Sequence, residues 1–175
     1  SPAMAVDQLS LEQKVGQLFI FGFPGYGLSP ALERNLRVLK PGALIIFRRN
    51  IKSLKQIAQL NADLQKASLS YSKLPLFLAV DQEGGVVARI QTSPSLPSAY
   101  TIGNTNEPTL AFQAGKVTGE MLKALGFNVN LAPVLDVTDE KLNSFVGTRS
   151  FSESPRKISS MGVAFAEGLA ETKVL

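Results

Sequence analysis

Leu76-Phe77-Leu78-Ala79-Val80-Asp81-Gln82-Glu83-Gly84-Gly85-Val86-Val87-Ala88-Arg89-Ile90 decides how this chain is read. Five apolar residues of strand character stop at a carboxylate, Asp81. A Gly84-Gly85 turn follows, and then a guanidinium, Arg89. In a parallel α/β sheet, residues just past the carboxyl end of a strand face a ligand rather than the core. That position here holds an acid, two glycines that let a ligand approach the backbone, and a base. The pattern points to a polar ligand pocket. An acid at this place also caps turns, and Arg89 is placed equally to brace the loop against Asp81 or Glu83 and to donate a fork of hydrogen bonds to hydroxyls or a carbonyl.

Outward from this stretch, strands and helices alternate. Ser10-Leu11-Glu12-Gln13 has capping-box form and opens a helix. Leu18 to Phe21 reads as the first strand, closed by Gly22 and Pro24-Gly25. Ser29-Pro30 opens a helix with Leu32, Leu36 and Leu39 on one face. Pro41-Gly42 stops it, and Ala43 to Phe47 is the second strand. Ser53 to Gln56 is a second capping box, leading a helix with Leu54, Ile57, Asn61 and Leu64 at helical spacing. Leu76 to Val80 is the third strand. A Ser- and Pro-rich loop from Gln91 to Asn106 is long enough to predict a lid or binding loop. Asn106 is expected to cap a helix buried through Leu110, Ala114, Val117, Met121 and Leu125, ended by Gly126. Phe127 to Leu131 is the fourth strand. Ser154-Pro155 opens the last helix, faced by Ile158, Met161, Phe165 and Leu169, and Lys173-Val174-Leu175 begins a fifth strand.

Four βα units in series imply a parallel sheet with right-handed crossovers. Their spacing is that of a (β/α)₈ barrel of the TIM type, which takes about 250 residues. The expected fold is therefore α/β, with only the first four βα units in these 175 residues. Residues 1–4 read as an expression scar and 5–175 as the amino-terminal half of the barrel. Half a barrel leaves open strand edges and an uncovered apolar face, so a partner is expected: the missing half or a second copy.

Composition excludes several classes. The chain has neither cysteine nor histidine, which removes disulfides, Ser-His-Asp triads and imidazole metal sites; no metal or cofactor is expected. The net charge is +4, but the basic residues are scattered. The short cluster Arg48, Arg49, Lys52 and Lys55 reads as a solvated helix face, not a nucleic-acid stripe. No apolar run approaches bilayer length.

Arg149, in Gly147-Thr148-Arg149-Ser150-Phe151, follows the fourth strand and opens on the same rim as Asp81, although a surface arginine gives the same pattern. Asp136 reads as an acid bracing its loop, and Asp139 and Glu140 as solvated. Gly22-Phe23-Pro24-Gly25 lacks the Lys-Ser/Thr of a phosphate loop.

Four blocks now stand in order: Gly42-Ala43-Leu44-Ile45-Ile46-Phe47 with Asn50; Asp81-Gln82-Glu83-Gly84-Gly85 with Val87 and Arg89; Asn130-Leu131-Ala132-Pro133-Val134-Leu135-Asp136-Val137; and Gly147 with Arg149-Ser150-Phe151. In these blocks the chain resembles the amino-terminal half of family 3 glycoside hydrolases, in particular bacterial β-N-acetylglucosaminidases that trim peptidoglycan fragments. The resemblance implies that Asp81, Arg89 and Arg149 bind the sugar. It implies a retaining displacement through a glycosyl-enzyme, with an aspartate nucleophile and a histidine acid/base in segments that have no counterpart here. No catalytic residue is carried over, and these residues alone are expected to be inactive. A cytoplasmic protein is implied, or an exported one if a leader was removed. The alternative is an inactive, sugar-binding or self-associating half-barrel.

Overall fold

A computed structural model describes residues 6–137 and 145–175. Residues 1–4 and the acids Asp139 and Glu140 therefore lie outside the described residues. The chain divides into two compact units, Ser1–Ala79 and Val80–Leu175.

In the first unit, α1 (Leu11–Gln17) starts at a complete capping box. The Ser10 hydroxyl accepts the Gln13 N–H at 3.2 Å, and the Gln13 side chain accepts the Ser10 N–H at 3.1 Å. Strand β1 (Ile20–Phe21) is shorter than expected, because the Leu18 N–H closes the end of α1 on the Val15 carbonyl. Helix α2 (Pro30–Leu39) buries Leu32 and Leu36, whereas Leu39 is exposed. Strand β2 (Ala43–Ile46) runs parallel to β1, with Ile20 opposite Ala43 and Phe21 opposite Leu44. Phe47 leaves the strand and precedes a 3-10 turn, Arg48–Asn50.

The Ser53 box is only half formed. Ser53 caps α3 (Leu54–Tyr71) by accepting the Gln56 N–H, but the Gln56 side chain turns outward. It accepts from the Lys52 N–H and donates to the Tyr26 and Asn50 carbonyls, which are better placed than its own helix end. Strand β3 (Phe77–Val80) begins beside β2, where the Phe77 N–H donates to the Gly42 carbonyl. Leu36, Leu44, Ile46, Ile57, Leu64 and Leu78 form the core.

The expected basic helix face is not one. Arg48 and Arg49 lie in the 3-10 turn, where Arg48 donates to the Ile51 carbonyl and Arg49 stacks over Phe47 at 4.4 Å. Lys52 sits 4.1 Å over the Tyr26 ring. Backbone carbonyls and aromatic faces compete with water for these cations. Leu11, Val15, Phe19, Val38 and Leu39 are exposed and line an apolar cleft of about 540 Å³.

In the second unit, the Val80 carbonyl accepts the Leu131 N–H beside β6 (Val129–Asn130). Of the expected fifth strand only the last residue pairs: Lys173 lies in a turn with φ of 64°, and Leu175 exchanges backbone hydrogen bonds with Asn128 and Asn130. A short antiparallel hairpin joins β4 (Gln82–Gly84) to β5 (Val87–Ala88). The predicted lid is partly helical, since Ser98 caps α4 (Ala99–Gly103). Next comes α5 (Pro108–Ala124), whose N-cap position is Glu107, without a side-chain cap, rather than Asn106, whose φ of 59° places it before the helix. The chain ends in α6 (Pro155–Glu171), which buries Ile158, Met161, Phe165 and Leu169 as expected.

The buried face of α5 differs from the expected one. Ala111, Gly115, Thr118, Gly119 and Leu122 are buried, while Leu110 and Val117 are exposed and Leu125, at the helix end, is buried as expected. The cause is a backbone-to-backbone approach between α5 and α6. A Cβ on Gly115 would lie 2.1 Å from the Phe165 carbonyl oxygen, and one on Gly168 would lie 2.1 Å from that of Phe112. Small residues admit this contact; the larger apolar side chains are turned out of it.

Candidate functional site

The site lies in the second unit and begins at β4, whose two-residue period sorts three consecutive polar side chains. Gln82 points inward and is buried. Its backbone N–H donates to the Asn130 side-chain oxygen, and its carbonyl accepts from the Asn130 amide, both at 3.0 Å. Its own side-chain amide repeats the exchange with the Ile90 backbone, donating at 3.0 Å and accepting at 2.9 Å. Two side-chain amides thus stand in for missing strand neighbours and satisfy buried backbone groups.

Asp81 and Glu83 alternate with Gln82, and each meets a guanidinium. The hairpin register sets Gln82 opposite Ala88, so Arg89 falls beside Asp81. Arg89 Nη2 donates to Asp81 Oδ2 at 3.0 Å, with 29% and 21% of the two side chains exposed. Arg149 ends a 3-10 turn, Gly147–Arg149, and reaches the same strand from sixty-six residues away. Its Nε and Nη2 donate to Glu83 Oε2 and Oε1, both at 2.8 Å, in a two-toothed fork. The Phe145 ring lies 5.2 Å from the Arg149 guanidinium. The hydrogen bonds to Glu83 raise the Arg149 pKa above its ordinary value; burial opposes this, and the charges of Glu83, Asp136 and Asp81 add to it. The guanidinium is therefore a permanent cation.

The three residues expected from sequence, Asp81, Arg89 and Arg149, are thus gathered on one cluster. Two residues outside the expected site hold it together, and Glu83 does so by bracing Arg149 rather than Arg89. Glu83 is the partner of Arg149, and the Asp81-Gln82-Glu83 alternation was the available signal. Asn130 is the clamp on Gln82, and nothing local marks it.

Three expectations are corrected. The glycine pair does not admit a ligand: a Cβ on Gly84 would lie 2.2 Å from the Pro97 carbonyl oxygen, and one on Gly85 would lie 2.6 Å from Ser98 Cβ. Both glycines have positive φ, 91° and 56°, and the Gly85 N–H donates to the Leu96 carbonyl at 3.0 Å. The segment expected as a lid is thereby strapped to the turn. Asp136 braces its loop through its backbone, not its acid, because its carbonyl accepts from the Ser150 hydroxyl at 2.7 Å.

Among the described residues, Asp81 Oδ1 and the Nη1 groups of both arginines have no hydrogen-bond partner. Arg89 Nε is buried without an acceptor. Two carboxylates and two guanidiniums cancel in charge, and the open atoms are one acceptor beside several donors. That inventory suits an uncharged, hydroxyl-rich ligand. No three carboxylates among the described residues gather as a metal site, and no described helix is long and apolar enough to cross a membrane.

Comparison with known proteins supplies the family. An uncharacterised secreted glycosyl hydrolase of Arthroderma benhamiae is 38% identical over 179 residues, covering 100% of this chain and 49% of that protein. Beta-hexosaminidase A of Pseudoalteromonas piscicida is 38% identical over 154 residues, 85% of this chain and 26% of that protein. The structure of a family 3 β-N-acetylglucosaminidase from Paenibacillus sp. str. FPU-7 superposes with a TM-score of 0.90 at 33% identity, over 94% of this chain and 31% of that one. The chain thus spans half or less of the length of these relatives. Its βα units are of the TIM-barrel type, covering part of that domain. The glycosyl hydrolase family 3 N-terminal domain matches residues 10–175, and the chain belongs to that family.

Proposed function

We propose that this chain is the sugar-binding, amino-terminal part of a retaining glycoside hydrolase that removes β-linked N-acetylglucosamine from peptidoglycan fragments or related glycans. Residues 5–175 supply the first four βα units of the barrel. The observation that carries the reading is the state of Asp81. Its Oδ2 is held by Arg89 while its Oδ1 stays open. A carboxylate held in this way accepts hydrogen bonds from sugar hydroxyls without reorganising, and the open N–H groups of Arg89 and Arg149 donate to ring hydroxyls or to an acetamido carbonyl. The relatives named beta-hexosaminidase and the Paenibacillus β-N-acetylglucosaminidase support the choice of sugar. Of the two compartments the resemblance implies, the description of the Arthroderma benhamiae relative as secreted favours the exterior.

Binding and chemistry are divided in this reading. Retaining hydrolysis needs a nucleophile and an acid/base on opposite sides of the scissile bond. Glu83 has both oxygens engaged by Arg149 and Asp81 is paired with Arg89, so neither is assigned the nucleophile or the acid/base. The test is titration of N-acetylglucosamine into the isotope-labelled chain, paired with a chromogenic N-acetylglucosaminide assay. Chemical shifts at residues 81–89 and at Arg149 should move, Asp81→Ala should abolish the movement, and no turnover should appear. Appreciable hydrolysis, or shifts confined elsewhere, contradicts the reading. Self-association is the second reading, favoured by the exposed apolar cleft between α1 and α2.

A further inference from the structure

We infer that Glu83 is a positioning residue: it sets the plane of the Arg149 guanidinium so that the unpaired edge of Arg149, not Glu83 itself, meets the ligand. The inference deepens the sugar-site reading and rests on it. In sequence, Glu83 is offered only as a candidate brace for Arg89, two residues from Asp81. The geometry gives it another task. Only 7% of its side chain is exposed, and both oxygens are used by Arg149 at 2.8 Å. Both oxygens of Glu83 already accept from Arg149 and the side chain is nearly buried, whereas the part-exposed Asp81 keeps an oxygen that accepts nothing.

A guanidinium is planar, so fixing two of its nitrogens fixes the third. The fork takes Nε and Nη2, which leaves Nη1 as the presented group and determines its direction. Glu83 can do this because its own backbone is held: Gln82, one residue before, is clamped by Asn130 and by Ile90. The chain of control runs from a buried amide pair, through strand alternation, to a carboxylate and then to an arginine far away in sequence. The site is left rich in donors, with one open carboxylate oxygen. A saccharide offering acceptor oxygens, such as an acetamido carbonyl, therefore gains most from the fork.

The test uses the 175-residue chain with N-acetylglucosamine as probe. In the wild type, the Arg149 Nε–H should exchange slowly and its two Nη groups should give separate NMR signals. Glu83→Gln removes half of the fork and should speed that exchange, merge the Nη signals and weaken sugar binding about tenfold. Arg149→Lys keeps the charge, cannot form the fork, and should weaken binding similarly. Positioning then requires that Glu83→Gln add nothing in the Arg149→Lys background. An additive loss in the double variant means that Glu83 touches the ligand directly and overturns the inference, as does an unchanged Arg149 signal in Glu83→Gln. Should Glu83→Gln not fold, the Arg149→Lys chain with and without Glu83→Asp gives the same comparison. If the wild type does not bind the sugar, the sugar reading fails while the Arg149 signals still decide whether Glu83 holds that side chain.

Discussion

Asn130 shows how much one side chain can hold. Its amide closes both backbone groups of Gln82, and all the atoms involved are buried. Replacing it with alanine leaves a buried N–H and a buried carbonyl without partners, each costing about 1–3 kcal/mol. Asn130→Ala should therefore lower stability by about 2–5 kcal/mol, read as a fall in the urea midpoint at constant slope. It should also loosen Asp81 and Glu83, which flank Gln82. Asn130→Asp should recover only the bond from the Gln82 N–H, because a carboxylate cannot donate to the carbonyl. A stability unchanged in Asn130→Ala would show that the clamp is redundant.

At the scale of elements, the contact of α5 with α6 depends on what is absent from the side chains. Gly115 and Gly168 bring each helix against the other's carbonyl oxygens, and Gly119 faces Thr172. A methyl group on Gly115 would sit 2.1 Å from backbone that no rotamer change can move. Helix propensity alone favours alanine over glycine by about 1 kcal/mol, so an exposed site would gain. Here overpacking outweighs that gain, and Gly115→Ala should destabilise the second unit by about 1–3 kcal/mol, measurable by thermal or chemical unfolding. A rise in stability would mean that the helices separate easily. The same packing explains why helical spacing misled at Leu110 and Val117. Periodicity finds a stripe of large apolar side chains, but this interface selects small ones and leaves the large ones exposed. In α6 the buried face itself carries large side chains beside Gly162 and Gly168, and Ile158, Met161, Phe165 and Leu169 were legible in advance.

At the scale of the whole molecule, the apolar cleft of the first unit governs behaviour in solution. Leu11, Val15, Phe19, Val38 and Leu39 leave contiguous apolar area in water. Patches of this kind mark association surfaces. The isolated chain should associate in a concentration-dependent way by sedimentation velocity, and Phe19→Ser with Val38→Lys should return it towards the monomer. Neither position belongs to the core, with Phe19 60% and Val38 66% exposed, so the fold should survive. Association that persists in the double variant would place the contact elsewhere.

The alternation of strands and helices, the capping residues Ser10, Ser29 and Ser53, and the acid at the end of the third strand were legible in the sequence, because each depends on neighbours within a few residues. The residues that meet at the site were legible only as candidates on one rim. Which carboxylate pairs with which guanidinium, which acid keeps an open oxygen, and why Gly84 and Gly85 are glycines were decided by tertiary structure. Those contacts join residues far apart in the chain: Glu83 with Arg149, Gln82 with Asn130, and the Gly84 turn with Pro97. Hydrogen-bond geometry and close backbone approach exist only once the chain has folded, and local sequence spacing carries no record of them.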